Sequence, residues 1–241
     1  MDIKIIYEDN DVLVVDKQAG MVVFNEKTNT PDASGVFSNP DTLIDQLIKQ
    51  RSELKQAGEA PRYGIVHRLD KDTSGILLVA KSTESLIFLQ KQFINRRVEK
   101  KYLCLVEGSI KQDSGEIKTL IARSSRDPRK QTVYQLNEPA PKSARGAITE
   151  YKVLQRYNSY TLLEVDIKTG RRHQIRCHLS YLQHPIVGDK LYSFKNSKSP
   201  EGLARQFLHA KYLKIQTPNG KTQEFQSNLP EDLEKVIKKL T

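Results

Sequence analysis

Two polar clusters interrupt otherwise apolar patterns in this chain, and both carry residue types able to do chemistry. The first is His67-Arg68-Leu69-Asp70-Lys71-Asp72-Thr73-Ser74-Gly75, which sits just before the apolar run Gly75–Ala80. A loop feeding a buried strand is a rigid mount for functional side chains. Asp70, flanked by the cations Arg68 and Lys71, offers a carboxylate that can act as nucleophile or general base, while Thr73 and Ser74 can hydrogen-bond the turn. The plainer reading of the same residues is a solvated turn laced with local ion pairs. The second cluster is Thr169-Gly170-Arg171-Arg172-His173-Gln174-Ile175-Arg176-Cys177-His178. Cations gathered at the start of a helix add to a positive dipole end, so an anion is implied, either a phosphate or a carboxylate such as Asp70. A basic helix start open to water is the competing account. His173 and Cys177 share an i, i+4 spacing that could hold zinc, but no further ligand set is in view and no metal is expected. A phosphate-binding loop and a dinucleotide fingerprint are absent, so no cofactor is expected either.

The elements that must position these clusters read as a mixture. Ile3–Tyr7, Val12–Val15 and Met21–Phe24 are three β-rich runs separated by turn residues, followed by a polar loop from Asn25 to Pro40. Asp41 or Thr42 caps a helix whose apolar face holds Leu43, Leu47 and Leu54 and which ends before Gly58. Gly75–Ala80 is a buried strand, and Ser82 caps a helix with Leu86, Leu89 or Gln90, and Phe93 inward. In the strand Val98–Val106, alternation puts Lys100, Tyr102, Cys104 and Val106 on one face. Strands near Ile148–Leu154 and Tyr160–Ile167 form a pair, and the basic, Pro-containing stretch from Arg123 to Ala147 reads as a moving loop. His173–Leu182 is a helix, Phe207–Ile215 and Thr222–Gln226 flank an Asn-Gly turn, and Pro230 opens a last helix.

Bulk properties narrow the partner. The 241 residues carry 39 Lys and Arg against 29 Asp and Glu, a net charge of +10. The first 50 residues hold four basic and nine acidic side chains, so the remainder carries +15 against their −5. Such a field suits a polyanion, nucleic acid ahead of a membrane surface, although a merely soluble lysine-rich protein fits the charge as well. No signal-peptide pattern and no apolar run long enough to span a bilayer are seen, so a cytoplasmic protein with no membrane partner is expected. Cys104 and Cys177 stand alone, which excludes a disulfide framework.

Taken together, the clusters resemble the RluA-type family of RNA pseudouridine synthases. His67–Gly75 matches the family's HRLDxxTSG signature, Lys100-Lys101-Tyr102 its KxY element, Gly170–Arg176 its GRxHQIR element, and His184–Asp189 a following HPIxGD. Phe207-Leu208-His209-Ala210 and the opening strands also fit, so the resemblance runs through nearly the whole chain. It implies that Asp70 is the catalytic carboxylate, that Arg68 enters the RNA stack where the target uridine leaves, that Tyr102 lies against the flipped base, and that Arg176 pairs with Asp70. His67, Thr73, Lys100, Arg171, Arg172, His173 and Gln174 fall in the same motifs and are expected to bind substrate. Lys17-Gln18 stands where the family has Lys-Pro, and Val23-Phe24 where Val-His is common; neither is expected to touch the motif residues.

The expectation is therefore a single α+β catalytic domain over residues 1–241, with a central mixed, mostly antiparallel sheet flanked by helices and without the S4 RNA-binding domain of many relatives. Its activity would be conversion of uridine to pseudouridine in structured ribosomal or transfer RNA by a monomer. RNA would be gripped by Arg96, Arg97, Arg123, Arg126, Arg129, Lys130, Arg171 and Arg172. An RNA-binding module without chemistry, or a hydrolase using Asp70 and Asp72, would share much of this surface.

Overall fold

The computed structural model describes residues 3–25 and 41–240, so the polar loop expected at Asn25–Pro40 lies almost wholly outside the described residues. The chain forms two compact units, one built from the segment up to Val98 with Lys214–Ser227, the other from Glu99–Leu213 and the segment from Asn228 onward. The class is α+β and the strand pairing mostly antiparallel, as expected.

In the first unit, β1 (Lys4–Glu8), β2 (Val12–Lys17) and β3 (Ser74–Ala80) lie side by side in that order, antiparallel, with Val14 opposite Leu78. Every residue of β3 is buried, which is why its sequence is continuously apolar rather than alternating. Helix α1 (Leu43–Gln50) starts at a reciprocal cap: Thr42 Oγ1 accepts from the Asp45 amide, and the Asp45 carboxylate accepts from Thr42 N at 3.0 Å. Leu43, Ile44 and Leu47 are buried along it, each such burial stabilising by about 1.5–3 kcal/mol. The helix expected to run toward Gly58 ends earlier, at Gln50, and Leu54 reaches the core from a 3-10 turn at Ser52–Gln56. Helix α2 (Thr83–Ile94) begins at Ser82, whose hydroxyl accepts from Ser85 N.

Met21–Phe24 is not the strand its composition suggests. The carbonyls of Val22 and Val23 accept the amides of Leu43 and Ile44 at 2.8 and 3.1 Å, satisfying first-turn donors of α1 that have no partner within the helix. With those acceptors committed to a helix end, the segment packs Val23 and Phe24 inward without joining a ladder.

The second unit carries β4 (Glu99–Glu107), β5 (Ser114–Arg123), β6 (Gln131–Tyr134), β7 (Arg145–Arg156), β8 (Tyr160–Ile167) and most of β9 (Leu208–Gln216), ordered β9-β4-β8-β7-β5-β6. Helices α3 (Gln174–Tyr181) and α4 (Glu231–Leu240) complete it. Alternation in β4 is as read, with Lys100, Tyr102, Cys104 and Val106 all buried. Strand β5 adds to the elements expected from the sequence; its Ile117, Thr119 and Ile121 are buried and its Glu116 and Lys118 exposed, an alternation that ends at Ala122, which is buried as well. The stretch from Arg123 to Ala147, expected to be a moving loop, contains β6, paired to β5, and the start of β7. Its intervening turn is internally bonded, with Arg123 Nε donating to Pro128 O and Arg129 forked on Asp127. The last residues of β9 belong to the first unit, where they form a hairpin with β10 (Thr222–Gln226) about Asn219-Gly220.

Candidate active site

The loop bearing Asp70 is built backward along β3. Ala80 N donates to Gly64 O, Ile65 bridges Val79, and Leu78 N donates to His67 Nε2 at 3.1 Å, so residues 64–67 run antiparallel to the end of the strand. Gly64 is demanded by this approach, since a Cβ there would lie 2.0 Å from the Ala80 carbonyl oxygen. His67 accepts through Nε2 and stacks on Phe93 of α2 at 5.0 Å, so its ring anchors the loop to both a strand and a helix. Leu69 is buried between exposed Arg68 and half-buried Asp70, and Thr73 N donates to Asp70 O to close the turn. Asp70 is thus less enclosed than a fully buried catalytic carboxylate. Thr73 and Ser74 are buried at the base of the turn.

Of the two departures from the family pattern, Phe24 touches this loop, which corrects the expectation that it stands clear of the motif residues, while Gln18 follows Lys17, a residue that keeps the family pattern and is itself tied to the loop. Lys17 is 1% exposed, and its Nζ donates to the backbone carbonyls of Gln18, Met21 and Lys71, each at 2.9 Å. Gly20 N donates to the same Lys71 carbonyl. An ammonium buried this deeply is stable only with such partners, and here they staple the end of β2 to the residue after Asp70. Phe24, 3% exposed, lies under two guanidinium groups, those of Arg62 at 4.9 Å and Arg68 at 5.1 Å. A lysine at the last position of a strand or a phenylalanine in a coil carries no periodic signal for such a partner, so neither contact is visible before the fold is known.

The second unit holds the other residues expected at the site. Lys100 and Tyr102 share the buried face of β4, and burial pushes the Lys100 ammonium below the ordinary lysine range, with Asp166 opposing that shift. Helix α3 starts at His173 in the left-handed conformation, φ 54°, and carries Arg176 and His178 inward. Arg176 makes a buried, two-pronged pair with Asp189, Nε to Oδ2 at 2.7 Å and Nη2 to Oδ1 at 2.9 Å. Asp189 Oδ1 also accepts the amides of Leu191 and Tyr192, and the Tyr192 ring lies 5.2 Å from the Arg176 guanidinium. In the sequence Asp189 is only the last residue of HPIxGD; its role as the orienter of Arg176 emerges with the fold. Gly188 before it has φ +76° and no room for a Cβ, which would meet Arg205 O at 2.2 Å.

Gln174, expected to bind substrate, has its amide committed within the unit. Oε1 accepts from Thr169 Oγ1 and Arg171 N, and Nε2 donates to Ile148 O and Thr149 Oγ1. With two acceptances and two donations made, it is a clamp holding α3 to β7. His173 Nδ1 contacts the Tyr192 hydroxyl at 3.1 Å. Arg171 and Arg172 are exposed, and Arg171 Nε donates to Gly146 O. A groove of about 440 Å³ elsewhere in this unit is walled by Glu116, Glu150, Glu164 and Asp166 with Lys101 and Lys152, a predominantly acidic lining unsuited to a polyanion.

Comparison with known proteins identifies the family. A model of the RNA pseudouridylate synthase family matches residues 11–181. The chain is 38% identical over 241 residues to the RNA pseudouridine synthase YlyB of Bacillus subtilis, covering all of this chain and 73% of that protein. It is 36% identical over 242 residues to the ribosomal large subunit pseudouridine synthase D of Nitrosomonas europaea, covering 98% of this chain and 64% of the relative. Among solved structures, human RNA pseudouridylate synthase domain containing 1 superposes with a TM-score of 0.71 at 26% identity, over 99% of this chain and 94% of the human one. A loop with an anchored carboxylate, an inward arginine on a second element and a sequence match over most of the chain converge on one conclusion: the chain belongs to the RNA pseudouridylate synthase family, isomerases that act on structured RNA.

Proposed function

We propose that this protein isomerises specific uridines of ribosomal or transfer RNA, in the cytoplasm and as a monomer, with Asp70 as the catalytic carboxylate. In the reaction the N1–C1′ bond breaks, the base turns, and a C5–C1′ bond forms while C5 loses its proton to solvent and N1 gains one. The target must leave the stack and be held while detached, which calls for base flipping. Arg68 fills the place the uridine vacates, Tyr102 stacks on the flipped base, and Arg176, oriented by Asp189, is the cation of the catalytic set. Thr73, Lys100, Arg171 and Arg172 complete the substrate contacts. The observation that carries this reading is the Asp70 loop itself: a half-buried carboxylate beside an exposed arginine, on a turn tied to β2, β3 and α2 by Lys17, Gly20 and His67. Such multiple anchoring is what preorganised catalysis requires and a solvated turn does not. Since relatives include synthases named for the large ribosomal subunit, large-subunit RNA is the first substrate to try.

The test is tritium release from a [5-³H]uridine-labelled transcript of large-subunit ribosomal RNA. Asp70→Asn should abolish release and leave RNA binding largely intact; an active Asp70→Asn enzyme would remove the assignment. Appearance of free uracil in place of pseudouridine would point to hydrolysis instead.

A further inference from the structure

Arg62 belongs to no motif, yet it shares an aromatic seat with Arg68. Its guanidinium lies 4.9 Å from the Phe24 ring centroid and that of Arg68 lies 5.1 Å from the same point. Both arginines are exposed while the ring is 3% exposed, so the ring is a fixed body and the cations are the parts that face solvent. The ring's own backbone is fixed as well, because the carbonyls of Val22 and Val23 just before it cap α1. Arg62 is held from behind by turn hydrogen bonds, Arg62 N to Glu59 O and Ile65 N to Arg62 O. Each guanidinium sits within the range where an aromatic face attracts a cation. Two cations gathered on one ring also repel each other, a cost that an RNA phosphate would relieve.

We infer that Phe24 is a positioning residue that holds Arg62 and Arg68 as one two-pronged RNA-binding element, with Arg62 on a backbone phosphate of the same substrate that Arg68 enters. This rests on the reading of Arg68 given above. Long arginine side chains have many rotamers, and a shared seat removes that freedom before RNA arrives, which raises affinity without any new interaction with the RNA.

A double-mutant cycle on the full chain, with the labelled large-subunit ribosomal transcript as substrate, tests it. Phe24→Leu keeps an apolar side chain and removes the ring; kcat/KM should fall about two- to fivefold for each guanidinium deprived of its aromatic seat. In an Arg62→Met, Arg68→Met background the same substitution should change nothing, because the groups it acts through are gone. Arg62→Met alone should lower the slope of log affinity against log salt by about one. Phe24→Met repeats the measurement should Phe24→Leu unfold, and thermal midpoints are compared throughout. An equal loss in both backgrounds, no loss in either, or an unchanged salt slope for Arg62→Met overturns the proposal. A fully active Arg68→Met enzyme would instead sink the reading of Arg68, and an active Asp70→Asn enzyme that of the reaction.

Discussion

At the scale of single residues, the buried pair of Arg176 and Asp189 dominates the second unit. Arg176 is 6% and Asp189 1% exposed, and the two are joined by both prongs of the guanidinium fork. Taking two charges out of water is costly, so the pair is weak evidence for net stability, but removing one partner leaves the other charge stranded. Asp189→Asn should therefore destabilise the protein by about 3–5 kcal/mol in urea unfolding. A loss below about 1 kcal/mol would mean that solvent reaches Arg176 and that Asp189 does not orient it. Position matters here as much as energy, since an arginine locked at both prongs presents the rest of its guanidinium in one direction.

The element that depends most on buried polar contacts is α3. Beneath it runs a chain of side chains: Thr119 Oγ1 lies 2.9 Å from His178 Nε2, His178 Nδ1 2.9 Å from Thr149 Oγ1, and Thr149 Oγ1 accepts from Gln174 Nε2. One ring nitrogen of a neutral His178 donates to a threonine and the other accepts from one, a bonding pattern that imidazolium cannot keep. His178 is fully buried, and burial pushes its pKa down from 6.5 to about 4. Because the folded value lies below the unfolded one, the unfolded chain takes up the proton first as pH falls. Stability from this group is thus complete above pH 6.5 and is lost progressively between about 6.5 and 4. Stability measured against pH should slope downward through that window and the slope should shrink in His178→Gln; equal slopes in the two proteins would exclude His178 as its source.

For the whole molecule the relevant quantity is charge. A balance of +10 gathers as −5 over the first 50 residues and +15 over the rest. Arg96, Arg97, Arg123, Arg126, Arg129, Arg171 and Arg172 are all exposed, although Arg129 is already paired with Asp127 and Arg123 is tied to Pro128. Each phosphate neutralised by such a residue releases counterions, so RNA affinity should fall steeply and linearly in log salt. Affinity indifferent to salt between dilute and physiological buffer would remove these arginines from the proposed docking surface and leave the proposed role of Asp70 untouched. Like-signed groups need not act equally, and single Arg→Ala changes should each take about one from the slope only where a phosphate is met.

Much is determined by sequence alone. The apolar run of β3, the alternation of β4, the caps Thr42 and Ser82, the period of α3 and the Asn-Gly hairpin are local signals, each set by neighbours a few residues away, and they place the motif loop and helix correctly. Strand β5 carries such a signal too, masked by the Pro-containing stretch that follows it. Other features depend on partners far along the chain. Met21–Phe24 has strand composition, yet a helix end some twenty residues on claims its carbonyls. Lys17 meets a carbonyl 54 residues away, and Arg176 takes Asp189 across a turn made possible by a glycine at φ +76°. Composition and spacing identify which groups can react, because those are properties of residue type and local period. Which groups hold them still is decided only when the chain closes on itself, since burial and a fixed partner are what turn a lysine, a phenylalanine or an aspartate into a support for chemistry.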